Sequence, residues 1–584
     1  MATKDQWNLK LLYKSDTDPQ IEKDVRSIES AFEKFEKKYK GKSFTSSIPK
    51  FLETLKDYEG LEKTLNGYKV LRYFNFKKDL NSKDAGAFAR ETKYHERITK
   101  AGNKVTFFRL EVGKIPEKKQ RSYLKDSKLT RYSYLIKVIF DHAKHHLTEK
   151  EEQLASLLSQ SSYTMWVDGQ DKLLSSQVVK HKSKSIPINQ AIGMIADLPK
   201  NDRRALHDEV NKKMKSISSF AESEINAIYN FKKIMDERRV YEKPYSATVL
   251  RYENNEKEVE NLVALVTKNF SISKRFYKLH AKLLKEKKTV LADRGVSVGK
   301  IDKKFSFANS VEIIKRAFAQ VDKQYVKIFE SFLENGQIDV YPKEGKTGGA
   351  YCAHGGELPT YVLLNHNDNI RSLETIAHEM GHAFHSELSK GQPSHYQDYT
   401  IATAEVASTF FEQVAISEIE KELSEKEQTI FLHNKIRGDI STIFRQIAFF
   451  NFELELHQRI RKEGQIAKEE IAKLTSKHLR SYLGPAVEVT DDDGYFFVYL
   501  SHMRRFFYVY SYAYGQLISR ALFEKWQEDK SYSKKIEQFL RAGGSMSPKD
   551  IFKSIGIDTS DPKFFAIGLK GIEKDIEKLE KLTK

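Results

Sequence analysis

Residues 375–387 read TIAHEMGHAFHSE and place three histidines and a glutamate within eight positions, His378 to His385. On a helix, His378 and His382 stand at i and i+4, on one face and about 6 Å apart along the axis. Imidazoles at that spacing can close on one divalent ion at about 2.0–2.1 Å each. Glu379 projects beside the pair, where its carboxylate can reach a water molecule without joining the ligand set. The chemistry this arrangement suits is metal-assisted hydrolysis. His385 returns to the same face but lies about 10 Å from His378, too far for one ion to bridge both. It is expected to pack, or to support a ligand from behind.

A hydrolytic ion wants a third protein ligand and an open fourth position. In YTIATAEVASTFFEQVAI (399–416), Glu405 sits among small and apolar residues with no Lys or Arg within fourteen positions on either side. A carboxylate there is costly unless a cation neutralises it, and an ion delivered by the preceding helix would do so. Glu412, seven residues on, shares its face and is expected to hydrogen-bond one of the ligands. The wider charge pattern agrees. From Thr347 to Glu420 the only basic residues are Arg371 and Lys390, against ten acids, in a chain whose formal charge is +18. The only cysteine is Cys352, which excludes an intrachain disulfide and a four-cysteine metal site, and fits a reducing cytoplasm.

The elements that must position these groups are mostly helices. DVRSIESAFEKFEKKY and NLVALVTKNFSISKRFYKLHAKLLKEK space apolar residues by three and four, the period of one buried stripe. SLETIAHEMGHAFHSELSK (372–390) is predicted helical between Asn369 and Gly391. Strand signals are few: KVTFFRLEVG is one candidate, and TYVLLN (360–365) a better one, β-branched and preceded by loop residues. TYVLLN is expected to offer an exposed strand edge to an extended peptide, and GKTGGAYCAHGG before it a mobile approach. TDDDG (490–494) opens like a calcium loop but lacks the glutamate at position 12, and is read as a turn. Pro and Asn in IADLPKNDRR suggest a boundary, giving a helical lobe over 1–198 and a catalytic domain over 199–584. The fold expected is mainly α and two-lobed, with a small β element beside the metal-bearing helix and a deep central cleft.

HEMGHAFHSELSKGQPSHYQDYTIATAEVASTFFEQ resembles the active-site region of the thimet-oligopeptidase family, most closely its oligoendopeptidase F branch. The resemblance extends to QWNLKLLYKSDTDPQIEKDVRSIESAFEKFEKKYKGK, to GKTGGAYCAHGGELPTYVLLNHND and to SHMRRFFYVYSYAYG, and so covers most of the chain. It implies a zinc endopeptidase acting on short unfolded oligopeptides, with His378, His382 and Glu405 as ligands of one Zn2+ and Glu379 as general base. Glu374, i−4 from His378, falls where the family places a carboxylate that steers a ligand imidazole. His502, Tyr508, Tyr510 and Tyr512 match a His followed by tyrosines at +6, +8 and +10. They are implied to stabilise the oxyanion and bind substrate, His502 and Tyr510 as catalytic groups and Tyr508 and Tyr512 with substrate. Tyr361 in TYVLLN is a further substrate-binding candidate. Ser501, Met503, Arg504 and Arg505 depart from the family's usual surroundings of this histidine, which leaves subsite preference open.

Arg504 and Arg505 also leave room for a carboxypeptidase, which would need a basic group to grip a terminal carboxylate. The pI near 9.3 invites a polyanion-binding alternative with a vestigial metal site. Interleaved Glu and Lys, as in GIEKDIEKLEKLTK, instead read as solvated helix faces, and no nucleic-acid motif accompanies the charge. The start of the chain has no continuous apolar core and no window approaches 18 uncharged apolar residues. A cytoplasmic enzyme with oligopeptide substrates, no nucleic acid and no membrane partner is the expectation.

Overall fold

A computed structural model describes residues 4–65 and 68–584. Two compact units emerge, each assembled from three separate stretches. Met1–Lys144, Lys303–Glu422 and Leu522–Ile557 form the first; His145–Asp302, Leu423–Ala521 and Asp558–Lys584 form the second. Residues 198 and 199 both lie in the second unit, where Pro199 caps the long helix Lys200–Arg238. Helices dominate both units, as the apolar periodicity requires.

KVTFFRLEVG is helical rather than extended, over Thr106–Gly113. Phe108 and Val112 are buried there at i and i+4, and Phe108 stacks on Tyr58 at 4.2 Å and on Phe44 at 5.9 Å. Packing of that stripe overrides the β preference of its Val and Phe residues. TDDDG, expected as a turn, instead opens a 3-10 helix over Asp492–Val498. Asp493 is buried and accepts from Thr490 N at 2.7 Å, Thr490 Oγ1 at 2.9 Å and Asn211 Nδ2 at 2.8 Å, so its lone pairs serve the protein.

In the first unit the segment with the three histidines is helix α1, Ile370–Ser389, and the next is helix α2, Ile401–Ile419. Asn369 starts α1 by accepting from Ser372 N. Leu373, Ile376, Ala377, Met380, Ala383 and Phe384 then bury one stripe. Phe384 packs at 4.8 Å against Phe411 of α2 and Phe318, each pair in an edge-on geometry worth about 0.5–1.5 kcal/mol beyond burial. The two helices approach closely because Gly381 faces the backbone of α2: a Cβ there would lie 2.6 Å from Ser408 Cα and 2.9 Å from Ala407 O.

A three-stranded sheet flanks α1. It comprises β1 (Ile338–Asp339), β2 (Tyr351–Ala353) and β3 (Tyr361–Leu363), in the order β1-β3-β2. β3 runs parallel to β1, with Ile338 opposite Val362, and antiparallel to β2, with Cys352 opposite Val362. TYVLLN is therefore a strand, but the middle one. The outer side of β1 is occupied by the N-terminal segment, through Val340 N to Asp5 O at 2.9 Å and Trp7 N to Asp339 Oδ2 at 3.2 Å.

Candidate metal centre

Helix α1 presents His378 and His382 with ring centroids 5.1 Å apart, and α2 brings Glu405 to face them. His378 Nε2 lies 3.6 Å from Glu405 Oε2, and one donor atom from each of the three residues falls within 4.8 Å of the others. Tetrahedral donors about 2.0–2.1 Å from an ion stand about 3.4 Å apart, so this set needs only a small closure to fit one. Two nitrogens and a carboxylate oxygen are the donor types that zinc takes in hydrolytic sites.

Glu412 fixes which nitrogen of His378 is available. Its Oε2 is 2.9 Å from Nδ1, so Nδ1–H donates to the carboxylate and Nε2 is the nitrogen that faces Glu405. Burial alone would lower the pKa of His378, but the Glu412 bond and the charges of Glu379 and Glu405 push it up to about 9. Burial, reinforced by His378, holds His382 well below the usual range. Glu374, the other candidate to steer a ligand imidazole, has its carboxylate 3.8 Å from the Arg371 guanidinium. Glu412→Gln keeps the volume but loses the charge that orients His378. Zinc affinity, measured by competition with a chromophoric chelator, is expected to fall about 10–100-fold.

Glu379 is buried, and burial pushes its carboxyl up to about 7. The Cys352 backbone N–H, on the outer edge of β2, donates to it. The sheet edge and the candidate base are thus adjacent, a contact that residue spacing could not reveal. His385 is packed, as expected: its ring stacks 3.5 Å from Tyr399, whose hydroxyl is 2.9 Å from Ser386 Oγ.

Two tyrosines sit elsewhere than expected. Tyr361 is 0% exposed, packs edge-on against Trp7 and tilted against Phe76, and donates its hydroxyl to Asn8 O at 2.9 Å. As a member of the middle strand it lies in the core, away from solvent. Tyr510, in the second unit, is also 0% exposed, and its hydroxyl accepts from Asn254 Nδ2 at 3.0 Å. It begins the helix Tyr510–Glu528, whose inward face takes Tyr510 and Tyr514. The alternation of tyrosines thus straddles a helix start, and only Tyr508 and Tyr512 join His502. His502 Nδ1 is 2.5 Å from Tyr508 Oη, and the Tyr512 ring lies 5.7 Å from that of Tyr508. Burial, with the charges of Arg445 and Arg505, pulls His502 down to about 4, so the ring is neutral near pH 7. In the tautomer that lets Nδ1 accept from Tyr508 Oη, the ring proton resides on Nε2, which is then a donor.

Arg504 is buried and bidentate to Glu224, at 2.7 and 2.6 Å, so its guanidinium is not open to a substrate carboxylate. Just beyond it, Phe506 and Phe507 both adopt left-handed backbone angles, φ +48° and +59°, costing about 1–3 kcal/mol each. Sequence reasoning missed Gly381 as a positioning residue. Its signal was there, a single glycine inside a strongly patterned helix, which needs a packing reason to be worth its entropy.

A helix carrying two imidazoles and a carboxylate, crossed by a second helix that supplies another carboxylate, defines a helical metallopeptidase. The chain belongs to peptidase family M3, whose model matches residues 197–570, and residues 111–176 match the model described as Oligopeptidase F. Among curated relatives, Oligopeptidase PepF of Bacillus subtilis is 25% identical over 593 residues, covering 100% of this chain and 88% of that protein. An oligoendopeptidase F homolog of Borreliella burgdorferi is 26% identical over 563 residues, covering 95% and 94%. Solved structures share the fold. One from Chlamydophila abortus has a TM-score of 0.86 at 21% identity, covering 99% of this chain and 98% of that one. Oligoendopeptidase-F from Enterococcus faecium has a TM-score of 0.70 at 19% identity, covering 97% and 99%. The resemblance to the oligoendopeptidase F branch therefore runs the length of the chain. Among the described residues, no helix is long and apolar enough to cross a membrane.

Proposed function

We propose that this chain is a zinc endopeptidase that cuts internal bonds of short unfolded oligopeptides. The observation that carries the reading is the convergence of His378, His382 and Glu405 within 4.8 Å, with buried Glu379 on the same helix. One zinc ion held by those three residues would supply Lewis acidity to the scissile carbonyl and acidify water. Glu379 accepts a proton as the water oxygen bonds to the carbonyl carbon, then delivers it to the amide nitrogen as the C–N bond breaks. Glu412 keeps the Nδ1 proton of His378 in place throughout. The Nε2–H of His502, its tautomer fixed by Tyr508, donates to the developing oxyanion, and Tyr512 contacts substrate. The outer edge of β2, rather than β3, offers main-chain groups to an extended peptide. Burial of Arg504 in its pair with Glu224 removes one of the two candidate grips on a terminal carboxylate and leaves the exposed Arg505, while family membership weighs against a vestigial site.

The test uses an internally quenched peptide blocked at both ends. Internal cleavage is expected, abolished by a chelator and restored by one equivalent of zinc. Release of single C-terminal residues from an unblocked peptide, with the blocked one untouched, would overturn the endopeptidase reading.

A further inference from the structure

The turn bearing His502 is fastened from behind through Arg504, within the second unit alone. Residues Ser501–Arg505 form a 3-10 turn with His502 on its partly exposed side and Arg504 on its buried side. Arg504 Nη1 donates to Leu500 O at 2.9 Å, closing the turn from inside, while its other nitrogens hold Glu224 of the helix Lys200–Arg238. Arg504 and Glu224 side chains are 4% and 0% exposed. Tyr163, on the π-helical turn Gln160–Thr164, donates its hydroxyl to Arg504 O. Beyond the turn, Glu453 Oε1 accepts from Phe507 N at 3.0 Å, which secures the left-handed Phe506–Phe507 step leading to Tyr508. Strained backbone persists only where its surroundings over-determine it, and such places concentrate at working sites. Here the strain reverses the chain so that Tyr508 comes back onto His502 Nδ1.

We propose that Arg504, through its pair with Glu224 and the Tyr163 hydroxyl on its carbonyl, is a positioning residue for His502. The inference rests on the reading of His502 as an oxyanion donor. Arg504 and Glu224 touch no reacting atom. They set where the Nε2–H points, and a donor misplaced by even 1 Å loses most of its effect in the transition state. An ion pair with full burial on both sides is a poor stabiliser compared with an apolar pair of the same volume, so its presence here is better explained by the geometry it imposes.

The experiment compares Tyr163→Phe, the paired Arg504→Met/Glu224→Leu variant and His502→Ala, each alone and combined with His502→Ala, on the quenched peptide. The paired change removes both charges together, so neither is left buried alone. His502→Ala is expected to lower kcat about 100-fold. Tyr163→Phe and the paired variant should lower kcat about 5–50-fold with KM within twofold, and add nothing further in the His502→Ala background. Should the paired variant not fold, Tyr163→Phe, which removes one hydroxyl, decides alone. If His502→Ala leaves kcat unchanged, the oxyanion-donor reading falls and this inference with it. If His502→Ala lowers kcat but the other variants match wild type, or their losses multiply with it, the reading stands and Arg504 is no more than a structural residue.

Discussion

Glu379→Gln is expected to lower kcat about a thousandfold, with zinc content unchanged at one ion per chain and KM within a few-fold. Proton transfer by a positioned base contributes about 10²–10⁴ in rate. Glutamine keeps the volume of the buried side chain, and its carbonyl still accepts from the Cys352 N–H, so the helix and the sheet edge stay in place. What it lacks is an acceptor for the water proton. Because His378, His382 and Glu405, the proposed ligands, are untouched, metal binding is expected to persist. Quenched-peptide turnover and elemental analysis on the same sample check both halves. Turnover near wild type would remove Glu379 from its role, and zinc lost along with activity would make it a ligand or a structural support instead.

Gly381→Ala should act on the centre without altering any of its chemical groups. The added methyl meets Ser408 Cα at 2.6 Å and Ala407 O at 2.9 Å. Both are backbone atoms, which cannot swing aside as a side chain can, so α1 and α2 must move apart. Overpacking of this kind costs about 1–3 kcal/mol, partly offset by the roughly 0.5–1 kcal/mol that alanine gains over glycine within a helix. The larger effect falls on the metal. Glu405 rides on α2, three residues before Ser408, and the histidines ride on α1, so separating the helices opens the 3.6 Å gap between His378 and Glu405. Zinc affinity is expected to drop at least 100-fold, by chelator competition, while the melting temperature of the metal-free protein changes by only a few degrees. Wild-type zinc affinity in this variant would show that the crossing distance does not set the donor geometry.

The candidate donor cluster was legible because it depends on one helical turn and on the cost of isolating a carboxylate. His378 and His382 announce themselves by spacing, and Glu405 and Glu412 by sitting without basic neighbours in an apolar helix. The helix over 372–390 and the strand at TYVLLN followed from local period. What sequence could not supply was the order of strands. TYVLLN and YCA are both short and apolar enough to be strands, and only pairing decides that β3 lies inside and β2 outside; Tyr361 moved into the core with that decision. Tyr510 was misplaced because a run of alternating tyrosines looks alike on either side of a helix start, while the two halves face opposite ways. Arg504 offered a charge, and a charge reads as exposed until its partner, 280 residues earlier in the chain, is known. KVTFFRLEVG shows the same limit: its Phe and Val favour a strand alone and a helix once Phe44 and Tyr58 are present.

The segmented build of the first unit has a consequence for how the enzyme matures. Phe539, on the helix Ser533–Ala542, rests 5.2 Å from His385 at the C-terminal half of α1. At about 5–20 residues per second, synthesis separates the emergence of that contact from the emergence of the histidines by on the order of ten seconds. During that interval the ligands are on the nascent chain without their final support. Final support of the α1 histidines is thereby tied to the emergence of the helix Ser533–Ala542, not to the first appearance of the histidines outside the ribosome.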